Sequence, residues 1–197
     1  MIFFLTSFFV SVMASSTPLL LAATGELVTE RAGVLNLGVE GMMLVGAVAG
    51  FVAGHLSGSA VFGLLAATAG GAALAAIFAF LTLTLLSNQT AAGLALTIFG
   101  RGFSSLLGAG YVGIKGPELP KLAAPGLSQI PFFGPVLFGQ DALVYASFLI
   151  LAAVAWFLYR THAGLVLRSV GDSHEAAHAL GYPVNRIRLG ATLFGGA

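Results

Sequence analysis

An all-α, polytopic bundle of membrane-spanning helices is the fold that this sequence predicts. Hydrophobic residues make up 58% of the chain and charged residues only 8%, and the mean hydropathy is +1.00. A soluble domain carries about 25% charged residues, so this chain has too few to cover a soluble surface. The apolar runs are unbroken, whereas a membrane β-barrel needs strands of alternating polarity. Helices therefore remain as the way to satisfy the backbone in lipid.

Five segments are long enough to cross a bilayer, which takes about 20 apolar residues. They are residues 3–23, 38–56, 60–86, 90–110 and 142–159. The first lacks the positive residues that begin a signal peptide, so it predicts a span. An incomplete sixth span begins near Ile187 and reaches Ala197 without room to cross. We therefore expect one transmembrane domain over residues 1–197, truncated at its C-terminus or completed by a partner.

Charge predicts how the bundle is oriented. The arginines of the loop 160–188 make that loop cytoplasmic by the positive-inside rule; they are Arg160, Arg168, Arg186 and Arg188. Counting back places the loop 111–141, with its five prolines, outside, together with the N-terminus. Lys115 and Lys121 lie on the external loop against this rule. The net charge of +1 gives no basis for binding nucleic acid.

Glycines at positions 46, 50, 54 and 58 recur every four residues along the second predicted span. This spacing puts small residues on one helix face, where another helix can approach closely. We expect the face to pack within the chain, with a dimer interface as the alternative.

The segment 24–41 places polar residues between two apolar runs; they are Glu26, Glu30, Arg31, Asn36 and Glu40. Ionisable groups at membrane depth usually face a bundle interior or a water-filled path. Broken helices with glycines mark such sites in transporters. A solvated surface loop explains Glu26, Glu30 and Arg31 equally well, so both interpretations stay open for these three. Asn36 and Glu40 lie inside the apolar pattern and favour the interior.

Residues 174–178 read HEAAH, which matches the zinc-protease pattern of two histidines one turn apart. A catalytic zinc needs three protein ligands and an open position. His174 and His178 would supply two, with Glu175 as the base, and no second motif supplies an obvious third. The match therefore indicates a zinc site only weakly.

The same residues predict a short helix over 173–180. Asp172 is a good N-cap, and Glu175 stands three residues later, as in a capping box. Gly181 can end the helix in the left-handed conformation, and Pro183 prevents its continuation. A narrow apolar face, suited to a groove on a soluble partner, is formed by Ala176, Ala177 and Leu180.

Four stretches of the chain resemble the permease subunits of bacterial ATP-binding-cassette (ABC) importers for simple sugars, nucleosides and branched-chain amino acids. The chain is most similar to nucleoside and simple-sugar permeases that work with basic-membrane-protein-type binding lipoproteins. The stretches are "ERAGVLNLGVEGMML" (30–44), "SNQTAAGLAL" (87–96), "PGLSQIPFFGPVLFGQDALVY" (125–145) and "YRTHAGLVLRSVGDSHEAAHALGYPVNRIRL" (159–189). The family usually has Asn-Pro where this chain has Ser173 and His174.

The resemblance implies a multi-pass permease of the bacterial plasma (inner) membrane with no catalytic residue and no cofactor of its own. Its implied partners are a like or homologous permease, two cytoplasmic ATPases that bind ATP, and an external substrate-binding protein. The segment that docks on the ATPase would contain Asp172, Glu175, Ala176, Ala177, Leu180 and Gly181. Nucleosides or simple sugars would pass a path that we expect to be lined by Asn36, Glu40, Asn88 and Gln89. Asn88 and Gln89 could instead cap the helix that begins there, which their position slightly favours.

Two other classes stay open from the sequence alone. One is an intramembrane zinc protease that uses His174, Glu175 and His178. The other is a secondary transporter without an ATPase, in which Glu30 or Glu40 binds a proton or sodium ion.

Overall fold

The structure, a computed structural model, describes residues 2–116 and 133–197. The regular elements within these ranges are helical. They are α1 (Ile2–Arg31), α2 (Val39–Ser57), α3 (Ala60–Ala79) with a π-helical turn (Phe80–Thr84), α4 (Gln89–Gly108) with a 3-10 turn (Ala109–Tyr111), α5 (Phe133–Phe138), α6 (Ala142–Arg160), α7 (His162–Asp172), α8 (His174–Ala179) and α9 (Val184–Gly196).

Five of the described segments are long and apolar enough to span a membrane. They are Phe4–Arg31, Val39–Ser57, Ala60–Thr84, Gln89–Tyr111 and Ala142–Arg160. The predicted all-α bundle and the number of full spans are confirmed. The sixth apolar segment, α9, begins at Val184, close to the predicted Ile187.

The predicted end of the first span at residue 23 is wrong, because α1 continues to Arg31. The polar residues of this stretch, such as Glu26 and Glu30, are good helix formers and do not interrupt a helix. The chain turns instead at Gly33, which has a φ of +77°. That left-handed conformation is open to glycine without the steric cost of a side chain.

The helices pack around two buried apolar clusters. One lies among α2, α3 and α4 and contains Met42, Phe78 and Leu96. The other lies among α1, α6, α7 and α9 and contains Val28, Leu158 and Leu167, with other side chains. Helix α9 joins the two groups, because it packs against both α1 and α3.

The glycine face of α2 packs against α3, so the expected packing within the chain is confirmed. A Cβ added at Gly46 would lie 3.0 Å from the Ala67 carbonyl oxygen, and one at Gly50 would lie 3.0 Å from that of Gly63. Gly54 faces Gly63 in the same contact. Gly58 has a different role: it ends α2 with a φ of +65°.

The loop predicted over 160–188 is largely helical, with α7, α8 and the first turn of α9 inside it. Of these helices the sequence pattern predicts α8 alone, because α7 is short and has a mixed composition. The expectations for the external loop 111–141 fall mostly on residues 117–132, which lie outside the described residues.

The contact of α7 with the end of α1 yields a test of this packing. A Cβ at Gly171 would overlap the Arg31 carbonyl oxygen and lie 3.0 Å from the Gly33 nitrogen. We expect Gly171→Ala to destabilise the purified protein by about 2 kcal/mol, since backbone atoms cannot move aside cheaply. Gly190→Ala in α9 is the control, because a Cβ there meets nothing within 4 Å. Thermal unfolding in detergent compares the two; equal unfolding temperatures would contradict the packing.

Candidate functional site

A compact unit of two helices, α7 and α8, connects the last full span to α9. Thr161 links α6 to α7, and its hydroxyl accepts the Gly164 N–H at 3.0 Å as an N-cap. Gly164 lies directly against the backbone of Phe157 and Leu158, so α7 folds back closely on the end of α6. Residues Gly164, Leu167 and Val170 form the buried face of α7. We call residues 162–181 the α7–α8 unit.

Helix α8 begins one residue later than the sequence predicted. Ser173, whose backbone is extended, is the N-cap, and its hydroxyl accepts the Ala176 N–H at 3.3 Å. The prediction that Asp172 caps the helix is wrong, because Asp172 is the last residue of α7. Glu175 is then the second helical residue and cannot be the third-position partner of a capping box.

The predicted end of α8 at Gly181 is confirmed. Gly181 has a φ of +84°. Its N–H donates to the His178 carbonyl at 2.9 Å, and the Tyr182 N–H donates to the Ala177 carbonyl at 3.1 Å. This pair of bonds is the Schellman motif, which satisfies the free carbonyls at a helix end. The helix is therefore fixed at both ends by its own sequence.

The three residues of the predicted apolar face of α8 lie in two different surroundings. Ala177 is only 2% exposed and packs against Val170 of α7 and Val184 of α9. The expectation that Ala177 faces a partner groove is therefore wrong: it faces its own chain. Ala176 is exposed, and the Leu180 side chain is 77% exposed. Ala177 holds α8 in place, and the outward face contains Ala176 and Leu180.

The structure does not support a zinc site in HEAAH. His174, Glu175 and His178 are all exposed. Across residues 2–116 and 133–197, no three His, Cys, Asp or Glu side chains are grouped so that they could hold a metal ion. His162, the nearest other histidine in the sequence, begins α7.

Arg188 connects α9 to the segment that follows α1. Its Nε donates to the Ala32 carbonyl at 3.1 Å, and its Nη2 donates to the Gly33 carbonyl at 2.8 Å. One turn further along α9, the Ala191 carbonyl accepts the Thr29 hydroxyl at 3.3 Å. Helix α9, which supports α8 together with α7, is thus hydrogen-bonded to the segment that follows α1. From the sequence, Arg188 indicates only the orientation of the loop, and its bonds to Ala32 and Gly33 are not predicted.

Residues 32–38 form a non-helical segment whose backbone is hydrogen-bonded by side chains of α1, of α4 and of the segment itself. The Asn36 N–H donates to Glu26 Oε1 at 3.0 Å, and Asn36 Oδ1 accepts the Gly38 N–H at 3.0 Å. Gln89 Oε1 accepts the Leu35 N–H at 2.8 Å. The Thr97 hydroxyl donates to the Leu37 carbonyl at 2.9 Å. The broken-helix interpretation therefore fits Glu26 and Asn36, whereas Glu30 and Arg31 are exposed.

The predicted path residues lie in different surroundings. Asn36 is 1% exposed and orders the segment. Asn88 is the N-cap of α4, since its side chain accepts the Ala91 N–H, so the capping alternative is confirmed for it. Gln89 binds the segment 32–38. Glu40 was expected to face the interior, but it does not face the interior of the described helices. It is exposed and pairs with Arg101.

The Glu40–Arg101 pair was missed by the sequence analysis. Arg101 lies within the span predicted over residues 90–110. The unusual position of an arginine inside an apolar helix was the available signal, because such a charge needs a partner or water.

The fold and these connections define a polytopic helical membrane protein. The family described as the permease component of the branched-chain amino acid transport system matches residues 8–197. The chain therefore belongs to this permease family.

Three curated relatives are transporter permeases. A putative glucose ABC transporter permease protein of Haloferax volcanii, TsgC13, is 42% identical over 92% of this chain and 56% of its own length. The guanosine ABC transporter permease protein NupQ of Bacillus subtilis is 32% identical over 92% of this chain and 62% of its own. The nucleoside ABC transporter permease protein NupC of Lactococcus lactis subsp. cremoris is 30% identical over 92% and 61%. The chain thus spans about three-fifths of the length of these relatives. Among solved structures, none matches the chain.

The burial of Ala177 predicts an asymmetry between neighbouring alanines. Ala177→Glu places a charge against Val170 and Val184, and we expect it to cost about 3 kcal/mol of stability. Ala176→Glu is the matched control, because Ala176 is exposed. Limited proteolysis of the two purified variants should show faster cleavage within residues 172–183 for Ala177→Glu alone. Equal cleavage of both variants would contradict the observed seat of α8.

Proposed function

We propose that this chain is the translocating part of an ABC importer that brings nucleosides or simple sugars into the cell. Membership of a permease family supports a transport subunit without its own catalytic centre. The relatives are named for guanosine, nucleosides and glucose. These solutes share hydroxyl groups and a ring, so a hydroxylated ring-shaped solute is the substrate class we propose.

The observation that supports coupling to an ATPase is the packing of α8 against α7 and α9. The helix is fixed by Ser173 at its start and by Gly181 at its end, and Ala177 fixes it against α7 and α9. A force on its outward face is therefore transmitted to two helices rather than absorbed by a loose loop. We propose that this outward face, with Glu175, Ala176 and Leu180, docks on a cytoplasmic ATPase. Asp172, Ala177 and Gly181 position it from behind.

The proposed assembly contains two permease chains, alike or homologous, with two ATPases and an external substrate-binding protein. It lies in the plasma (inner) membrane of a bacterium. Counting back from the cytoplasmic loop 160–188 makes residues 87–89 cytoplasmic and residues 24–37 cytoplasmic or re-entrant. The contacts of Gln89 with Leu35 and of Arg188 with Gly33 support a position of these three segments on the same side of the membrane.

The docking proposal predicts the effect of a charge at Leu180. Leu180 is the largest apolar side chain of the outward face and is 77% exposed. An unpaired charge buried at an interface is costly, so Leu180→Glu should lower co-purification of the ATPase at least about tenfold. ATP hydrolysis stimulated by substrate in liposomes should fall with it.

Asn185→Glu provides the matched control. It adds the same charge at an exposed position in the first turn of α9, beyond the turn that ends α8. The proposal requires this variant to keep the ATPase. Retention of the ATPase and of its stimulation by Leu180→Glu at the level of the unmodified permease would refute docking through α8.

A further inference from the structure

An ion pair stands on an open face of the α2–α4 helix pair, within the length of the spanning helices. Arg101 Nη2 lies 3.0 Å from Glu40 Oε1, and the two side chains are 70% and 58% exposed. Arg101 lies about 18 Å along α4 from Gln89, at about 1.5 Å per residue. Glu40 is the second residue of α2, so the pair joins the start of one spanning helix to the middle of another.

Charges within spanning helices are costly on a surface that faces lipid. Ionisable side chains in spanning helices face a bundle interior or a water-filled cavity. The backbone brings the two charged residues together, because α2 and α4 cross in close contact at Gly41 and Gly100. A Cβ added at Gly100 would lie 2.6 Å from the Gly41 Cα. The crossing therefore holds the residues beside it, Glu40 and Arg101, next to each other.

The polar character continues along α4 on the same side. Thr97 stands four residues before Arg101 and Ser105 four residues after it, so the three share a helix face. Ser105 is exposed. The next residue, Leu106, projects from a different side of the helix and is 76% exposed. This side of α4 thus carries three polar side chains, with Leu94 and Ile98 exposed beside them.

Aromatic rings stand at the far end of the same groove. Phe51 and His55 lie eleven and fifteen residues after Glu40, close to whole numbers of helical turns, so they share its side of α2. The rings of Phe51 and Tyr111 are 6.2 Å apart, and those of His55 and Tyr111 are 5.8 Å apart. Phe51 and Tyr111 line a cavity of about 320 Å³ between α2 and the end of α4.

We propose that this α2–α4 face, from the Phe51–Tyr111 rings to the Glu40–Arg101 pair, lines the water-filled path of a hydroxylated, ring-shaped solute. The inference rests on the proposed import of nucleosides or sugars and says where that solute passes. Aromatic faces stack on nucleobases and cover the apolar side of flat rings. The guanidinium donates hydrogen bonds and the carboxylate accepts them, which together match the hydroxyl groups of a sugar.

Cysteine labelling tests the proposal, because residues 1–197 contain no cysteine. The full-length permease, with any cysteine beyond these residues replaced by serine, is assembled with its ATPases in liposomes without ATP. Ser105→Cys and the adjacent control Leu106→Cys are treated with a charged, membrane-impermeant thiosulfonate. The reagent attacks the thiolate, which forms in water, so position 105 should react at least about tenfold faster than position 106. Guanosine or glucose, added with the binding protein, should slow the reaction at 105.

Equal rates at the two positions in a complex that transports would overturn the path while leaving the proposed function intact. Failure of both guanosine and glucose to slow labelling, in a complex that imports one of them, would remove the solute from this face. Uptake is measured separately: labelling at 105 without uptake of either solute would refute the proposed substrates and keep the water-filled face.

Discussion

Two hydrogen bonds from Arg188 determine how the parts of this bundle are connected. The C-terminal end of a helix leaves carbonyl groups without partners within the helix. Past the end of α1, the Ala32 and Gly33 carbonyls accept both bonds from Arg188 of α9. A hydrogen bond to a charged group contributes about 1.5–3 kcal/mol. Contact with α9 therefore stabilises the break after α1.

This connection joins the α7–α8 unit to both groups of helices. Helix α8 rests on α7 and α9 through Ala177, α7 touches the end of α1 at Gly171, and α9 packs against α1 and α3. A displacement of α8 therefore has a physical route to the segment 32–38 and, through Thr97 and Gln89, to α4. In our proposal the ATPase acts at one end of this route and the Glu40–Arg101 face lies at the other.

The sequence was sufficient where the physical cause is local. Five spans follow from apolar length, the packing of α2 on α3 follows from glycine spacing, and the end of α8 follows from Gly181. It was insufficient where the cause is a distant contact: Arg188 binds Gly33 across 155 positions, and Arg101 binds Glu40 across 61. The outward face of α8 was misassigned because six residues are too few to show which side a neighbouring helix covers. Glu40 was expected in the bundle interior because a charge in an apolar run indicates a polar neighbour. The run does not show on which surface of the bundle that neighbour lies.

The most direct test of this account is ATP-driven uptake by Arg188→Leu in the reassembled importer. We expect the ATPase still to co-purify, because the outward face of α8 is unchanged, while uptake falls at least about tenfold as the bonds to Ala32 and Gly33 are lost. Arg188→Lys should retain part of the uptake, since one ammonium can still donate to a carbonyl. Arg186→Leu, which removes an exposed arginine two residues earlier, should transport normally. Normal uptake by Arg188→Leu would contradict the central claim that α9 connects the docking helix to the broken segment.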